Sequence, residues 1–115
     1  LQIISACCAG AKLKVADIKY LKKNKVFLLS LVRSKIETEN KDKKVNSICK
    51  FELVDNVKSK NINQYDESHM LDLIAIDYLK NNDNYEINLI FSNNAHISLS
   101  TEIIEVTLDD QNKTF

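Results

Sequence analysis

Apolar residues recur at every second position along much of the chain. Tyr85, Ile87, Leu89 and Phe91 alternate with Glu86, Asn88 and Ser92, and Ala95, Ile97 and Leu99 alternate with His96, Ser98 and Ser100. This period predicts strands with one face in a core and the other in water. Asn93-Asn94 between the two runs predicts a two-residue hairpin turn. Nearer the start, Leu13 and Val15 alternate with Lys12 and Lys14, and the phase slips before Ile18 and Tyr20. The slip predicts a bulge or tight bend at Ala16-Asp17. Val26 to Val32 is apolar throughout, which predicts a central strand covered on both faces. Cys49, Phe51 and Leu53 share one face of a further strand. A turn at Asp55-Asn56 is expected to lead into a short strand around Val57 and Ser59. Met70 to Leu79 reads as another largely buried strand. Polar stretches at 22–25, 37–46, 61–69 and 80–84 read as turns and loops.

Two stretches carry helical spacing instead. Leu1, Ile4, Cys8 and Ala11 lie on one helical face, and Gly10 sits where such a helix can end. Thr101 is suited to an N-cap, with Glu102 and Glu105 in the first turn and Ile104 and Leu108 four apart, so a C-terminal helix is expected. A strand through Val106 is the competing reading. The sum is a mainly β (α+β) single domain over residues 1–115. It has six or seven antiparallel strands in a curled sheet or partly open barrel, a short N-terminal helix and a C-terminal helix. Its layout resembles pleckstrin-homology-like domains, an analogy that implies no ligand.

Composition narrows the chemistry. A single glycine and no proline in 115 residues leave Asn and Asp to make the turns and exclude a glycine-rich phosphate loop. No apolar run reaches the ~20 residues of a membrane-spanning helix. Cys7, Cys8 and Cys49 are an odd set with two adjacent members, which suits free thiols in a reducing cytoplasm better than a disulfide framework. Ile4-Ser5-Ala6-Cys7 has the spelling of a lipoprotein cleavage box but lacks a basic and a continuous apolar lead. The zero net charge conceals a split. Residues 1–50 hold 12 Lys+Arg against 4 Asp+Glu, and residues 51–115 hold 4 against 12. The split is read chiefly as charges that neutralise one another across the sheet, and otherwise as a basic binding face.

No catalytic, cofactor-binding or metal-ligating set is expected, and no cofactor. His69 and His96 lack ligand neighbours at metal spacing and read as surface histidines. Cys8, Cys7 and Cys49 read as packing groups. Asp17, Tyr20 and Arg33 form the polar set to inspect first, since a bulge can re-aim Asp17 and Arg33 can grip a carboxylate or phosphate with two bonds. The plain alternative for them is a salt bridge or turn cap. Lys22, Lys23 and Lys25 could meet nucleic acid or another anion, but hairpin lysines more often guard a sheet edge. The leading expectation is therefore a non-enzymatic interaction or scaffold domain, self-associating as a homo-oligomer. The first alternative is an anion or nucleic-acid binder, and the second a small enzyme.

Four stretches resemble the bacterial family known as Domain of Unknown Function 2948. They are Ile4-Ser5-Ala6; Lys14-Val15, Asp17-Ile18 and Tyr20-Leu21; Phe27 through Arg33; and the C-terminal third from Leu71 to Leu108. The resemblance implies a cytoplasmic single domain without an assigned activity; no membrane association is expected. The chain departs from the family pattern at Ala16, where glycine is usual, at Ser34-Lys35, and at Asn93-Asn94, where a glycine pair is usual. The adjacent Cys7 and Cys8 are also foreign to the pattern.

Overall fold

The computed structural model describes residues 2–36 and 42–111. Among the described residues one α-helix, α1 (Gln2–Cys8), precedes seven strands: β1 (Lys12–Lys14), β2 (Ile18–Leu21), β3 (Val26–Ile36), β4 (Asp42–Lys60), β5 (Met70–Asn81), β6 (Asn84–Phe91) and β7 (His96–Asp110). All pairings are antiparallel, in the order β1-β5-β6-β7-β4-β3-β2. The three-residue β1 pairs with β5 through Leu13↔Leu71 and also with β3 at Lys12↔Val32. That second pairing closes six strands into a barrel, and β2 extends the wall beside β3.

At Cys49, Phe51, Ile87, Leu89, Phe91, Ile97 and Leu99 the inward phase is the one the alternation predicts. Phe27, Leu29, Leu31, Cys49, Phe51, Leu73, Ile87, Leu89, Phe91, Ile97 and Leu99 are buried and fill the interior. The Asn93-Asn94 turn forms with both residues left-handed, at φ 60° and 62°, a conformation Asn tolerates better than most side chains. The phase slip at Ala16-Asp17 is a 3-10 turn, Val15–Asp17, between β1 and β2. The N-terminal helix is present, with Cys8 and Ala11 buried and Ile4 half-buried.

Several expectations are corrected. The C-terminal helix does not form: β7 runs unbroken to Asp110 and pairs with β4 as far as Ser47↔Asp110. Ile104, Val106 and Leu108 are half-buried while Ile103, Glu105 and Thr107 are exposed. Ile104 and Leu108 fit a period of two as well as a helical turn, and pairing with β4 decides between them. The pleckstrin-homology analogy loses the closing helix that carried it. No turn occurs at Asp55-Asn56, where β4 continues through register shifts on either side of Val54. Leu53 takes a left-handed φ of 60° there and turns outward, so Val54 rather than Leu53 fills the core. Nor are Val26 to Val32 and Met70 to Leu79 covered on both faces. Ser30, Val32, Ile74, Tyr78 and Leu79 are exposed, because a barrel wall has one face outside and the one α-helix among the described residues does not cover it. Of the charged loop expected at 37–46, residues 37–41 lie outside the described residues and 42–46 already belong to β4.

The opposite charges of the two halves meet as the cross-sheet reading requires. Lys12 pairs with Asp72 at 3.2 Å, Lys25 with Asp55 at 3.0 Å and Arg33 with Asp110 at 2.8 Å.

Candidate functional site

The 3-10 turn at Val15–Asp17 interrupts the chain between β1 and β2, both of which pair with β3. The Asp17 carboxylate accepts the Lys14 amide at 3.3 Å and holds the turn. Backbone bonds from Val15 N to His69 O and from Ala16 N to Glu67 O tie the 61–69 segment to the same place. Beyond Phe51, β4 leaves the β3 ladder and continues on β7 to Lys60. A pocket of about 530 Å³ opens between β2, this half of β4 and the 61–69 segment. Val15, Ile18, Phe27, Val57, Ile62 and Ile97 supply its apolar lining, and Lys19, Tyr20, Ser59, Gln64 and Glu67 supply polar groups. Its volume falls within the range of small-molecule sites, and barrel mouths commonly house them.

Tyr20 spans the two strands that frame this mouth. Its hydroxyl donates to the Val54 carbonyl at 2.8 Å, and its ring lies 6.4 Å from that of Phe27. Gln64 Nε2 donates to Ser59 Oγ at 3.3 Å. The polar groups are thus partly satisfied within the pocket, and the apolar surface between them is what an occupant would gain by covering.

Arg33 stands elsewhere. It continues the inward phase of Phe27, Leu29 and Leu31 at the far end of β3. There Nη2 donates to both Asp110 oxygens at 2.8 and 2.9 Å, while Nε donates to Ser47 Oγ at 3.0 Å. Ser47 Oγ donates to Asp110 Oδ1 at 2.7 Å. One guanidinium therefore clamps β3, β4 and β7 together. Near this cluster Cys8 of α1 and Cys49 of β4 are both fully buried in the same core. The neighbouring Cys8, together with burial, pushes the Cys49 thiol far up. Cys49 in turn, aided by the Arg33 guanidinium, lowers Cys8, with burial and the Asp110 charge opposing.

The structure thus gives Asp17, Tyr20 and Arg33 separate partners: Asp17 a turn amide, Tyr20 a carbonyl at the mouth, Arg33 a carboxylate on β7. Lys22 and Lys23 are exposed on the 3-10 turn Lys22–Asn24 that joins β2 to β3. Lys25 ends that turn with a left-handed φ of 57° and is bound to Asp55, whose hydrogen bond and charge raise its pKa. His96 Nε2 lies 3.0 Å from Asn88 Oδ1. Among the described residues no three His, Cys, Asp or Glu side chains gather as a metal site, and no helix is long and apolar enough to cross a membrane. Sequence reasoning missed Ser47 and Asp110 as partners of Arg33, and the role of Ile62, Gln64 and Glu67 in the pocket. Asp110 is 77 residues from Arg33, and no local pattern announces a contact across that span.

Fold and site together define a small antiparallel β-barrel with a ligand-sized mouth and structurally engaged polar residues. A family model described as a protein of unknown function (DUF2948) matches residues 1–115, and the chain belongs to that family. No curated protein and no solved structure matches it.

Proposed function

We propose that the chain is a non-catalytic binding domain whose working site is the barrel-mouth pocket, taking an amphipathic small molecule with a largely apolar body. The observation that carries this reading is the pocket itself: about 530 Å³, walled by Ile18, Phe27, Val57, Ile62 and Ile97, with Lys19 and Glu67 of opposite sign among its polar groups. Anilinonaphthalene sulfonate is the probe. Saturable binding to the native fold below about 1 mM, worth ~4 kcal/mol, with amide NMR shifts confined to pocket residues, supports the reading. Val57→Trp and Ile62→Trp should each fill the mouth and abolish that binding while far-UV circular dichroism stays native. Absence of binding, or binding indifferent to both substitutions, overturns it.

Self-association is a second reading with its own support. Tyr78 and Leu79 on β5 and Ile103 on β7 are exposed, and the Tyr78 and Tyr85 rings lie 6.0 Å apart. Lys80 and Glu102, of opposite sign, border the groove that Tyr78, Tyr85 and Ile103 line. Light scattering that shows a dimer, lost in Tyr78→Lys, supports it; a monomer across the micromolar range removes it. The free state of Cys7, Cys8 and Cys49 supports a reducing, cytoplasmic setting.

A further inference from the structure

We propose that copies of this chain join edge to edge, the basic open edge of β2 in one copy pairing antiparallel with the acidic open edge of β7 in the next. β2 stands last in the strand order and pairs with β3 alone. The backbone bonds that hold the 61–69 segment end at Val15 and Ala16, before β2 begins. β7 pairs with β6 only as far as Tyr85↔Thr101, whereas its pairing with β4 runs on from Glu52↔Glu105 to Ser47↔Asp110. Among the described residues, Ile18–Leu21 and the stretch 102–110 therefore each lack a strand on one side. Such edges present N–H and C=O groups that can take a further strand.

The two edges are opposite in charge. Lys19 lies on β2, and Lys22 and Lys23 follow on the exposed 3-10 turn. Glu102, Glu105 and Asp109 are exposed along β7. Glu105 faces Glu52 directly across the β4–β7 ladder, a like-charge pair that a cation on the open side relieves. Two β2 edges brought together would oppose lysines, and two β7 edges would oppose carboxylates. The charges that guard each edge against its own kind thus fit one edge to the other. The lysine-rich first half of the chain and the acid-rich second half supply the two sides.

One antiparallel register satisfies both edges. With Lys19 opposite Glu105, Leu21 falls opposite Ile103, Tyr20 opposite Ile104 and Ile18 opposite Val106. Leu21 and Ile103 are exposed apolar side chains, and in this register each covers the other. Ile18, Tyr20, Ile104 and Val106 are half-buried and gain cover on the inner face of the joined sheet. Lys22 comes level with Glu102. The occupant of each edge is therefore a second copy of this chain, and because unlike edges meet, the contact is head-to-tail. It goes beyond self-association through the groove around Tyr78, which needs neither β2 nor its lysines.

The test is light scattering of the full chain at low salt, from micromolar to millimolar concentration. The native chain is expected to exceed the monomer mass, and added salt to weaken the association. Lys19→Glu with Lys22→Glu makes both edges acidic, and Glu102→Lys with Glu105→Lys makes both basic. Each double variant, native by far-UV circular dichroism, should self-associate at least about tenfold more weakly. An equimolar mixture of the two brings opposite edges together again and should recover the native mass. Leu21→Cys and Ile103→Cys chains, mixed and oxidised, should cross-link through the two introduced thiols, a readout that needs no charge reversal. A monomer throughout, association indifferent to both double variants, a mixture that stays monomeric, or no such cross-link would each overturn the proposal. Association that survives Lys19→Glu with Lys22→Glu but is lost in Tyr78→Lys overturns the edge contact and leaves the groove reading standing.

Discussion

Replacing Arg33 by Met tests whether the clamp joining β3, β4 and β7 stabilises the fold or merely decorates it. The side chain is 11 % exposed and its partner Asp110 29 %, so neither is fully screened by water. The substitution removes two bonds from Nη2 to Asp110 at 2.8 and 2.9 Å, one from Nε to Asp110 at 3.2 Å and one from Nε to Ser47 at 3.0 Å. Charge-assisted bonds contribute about 1.5–3 kcal/mol each in net terms. Asp110 keeps the Ser47 hydroxyl at 2.7 Å and regains water, which offsets much of the loss, and the Met stem retains packing. The expected cost is about 2–3 kcal/mol, a fall in Tm of roughly 10 °C for a domain of this size. Asp110→Asn strips the guanidinium of its counter-charge while leaving it largely buried and should cost about 3 kcal/mol. Urea denaturation of the single and double variants gives a coupling energy, expected near 2 kcal/mol and little changed by added salt. A coupling indistinguishable from zero, or loss below about 0.5 kcal/mol for Arg33→Met, would show that the pair behaves as an exposed surface bridge and would refute the reasoning.

Other perturbations probe the remaining elements. Leu53 holds a left-handed φ of 60° at the β4 bulge; Leu53→Asn should stabilise by about 0.5–1 kcal/mol, and Leu53→Val should destabilise by more than 1 kcal/mol, because β-branching disfavours that conformation. Urea midpoints showing no difference between the two would remove the strain argument. Lys25 has its pKa raised by Asp55. Its contribution to stability is therefore full below the unfolded lysine pKa and is lost as pH rises through the folded value. The Tm gap between the native chain and Asp55→Asn should hold from neutral pH to about 10 and shrink above it. Charge reversal at Lys22 and Lys23 should leave binding to a single-stranded RNA oligomer unchanged; a steep, salt-dependent loss would instead revive an anion-binding role for the β2–β3 turn.

The candidate site was legible only in fragments. Tyr20 and Asp17 were drawn out by the phase slip between Val15 and Ile18; Asp17 ends the turn and Tyr20, on β2, lines the mouth. Arg33 drew notice as the one arginine at the end of an apolar strand, but its partners lie 14 and 77 residues away. Hydropathy patterns carry no information on such pairings. The pocket depends on Val57, Ile62 and Ile97 converging from three segments, and each of these residues by itself reads as ordinary strand or loop.

Alternation along the chain determined which side chains face inward at Leu13, Ile87, Leu89, Phe91, Ile97 and Leu99, and the Asn93-Asn94 pair determined where the last hairpin turns. Both follow from local forces: the two-residue pleat, and the tolerance of Asn for left-handed backbone. Tertiary structure alone decided the rest. Pairing of β1 with β3 as well as β5 closed the barrel, pairing with β4 made a strand of 101–110, and the bulge at Leu53 exchanged it for Val54 in the core. Those outcomes depend on which strands compete for the same free hydrogen-bonding edge, a choice made only when segments far apart in the chain meet.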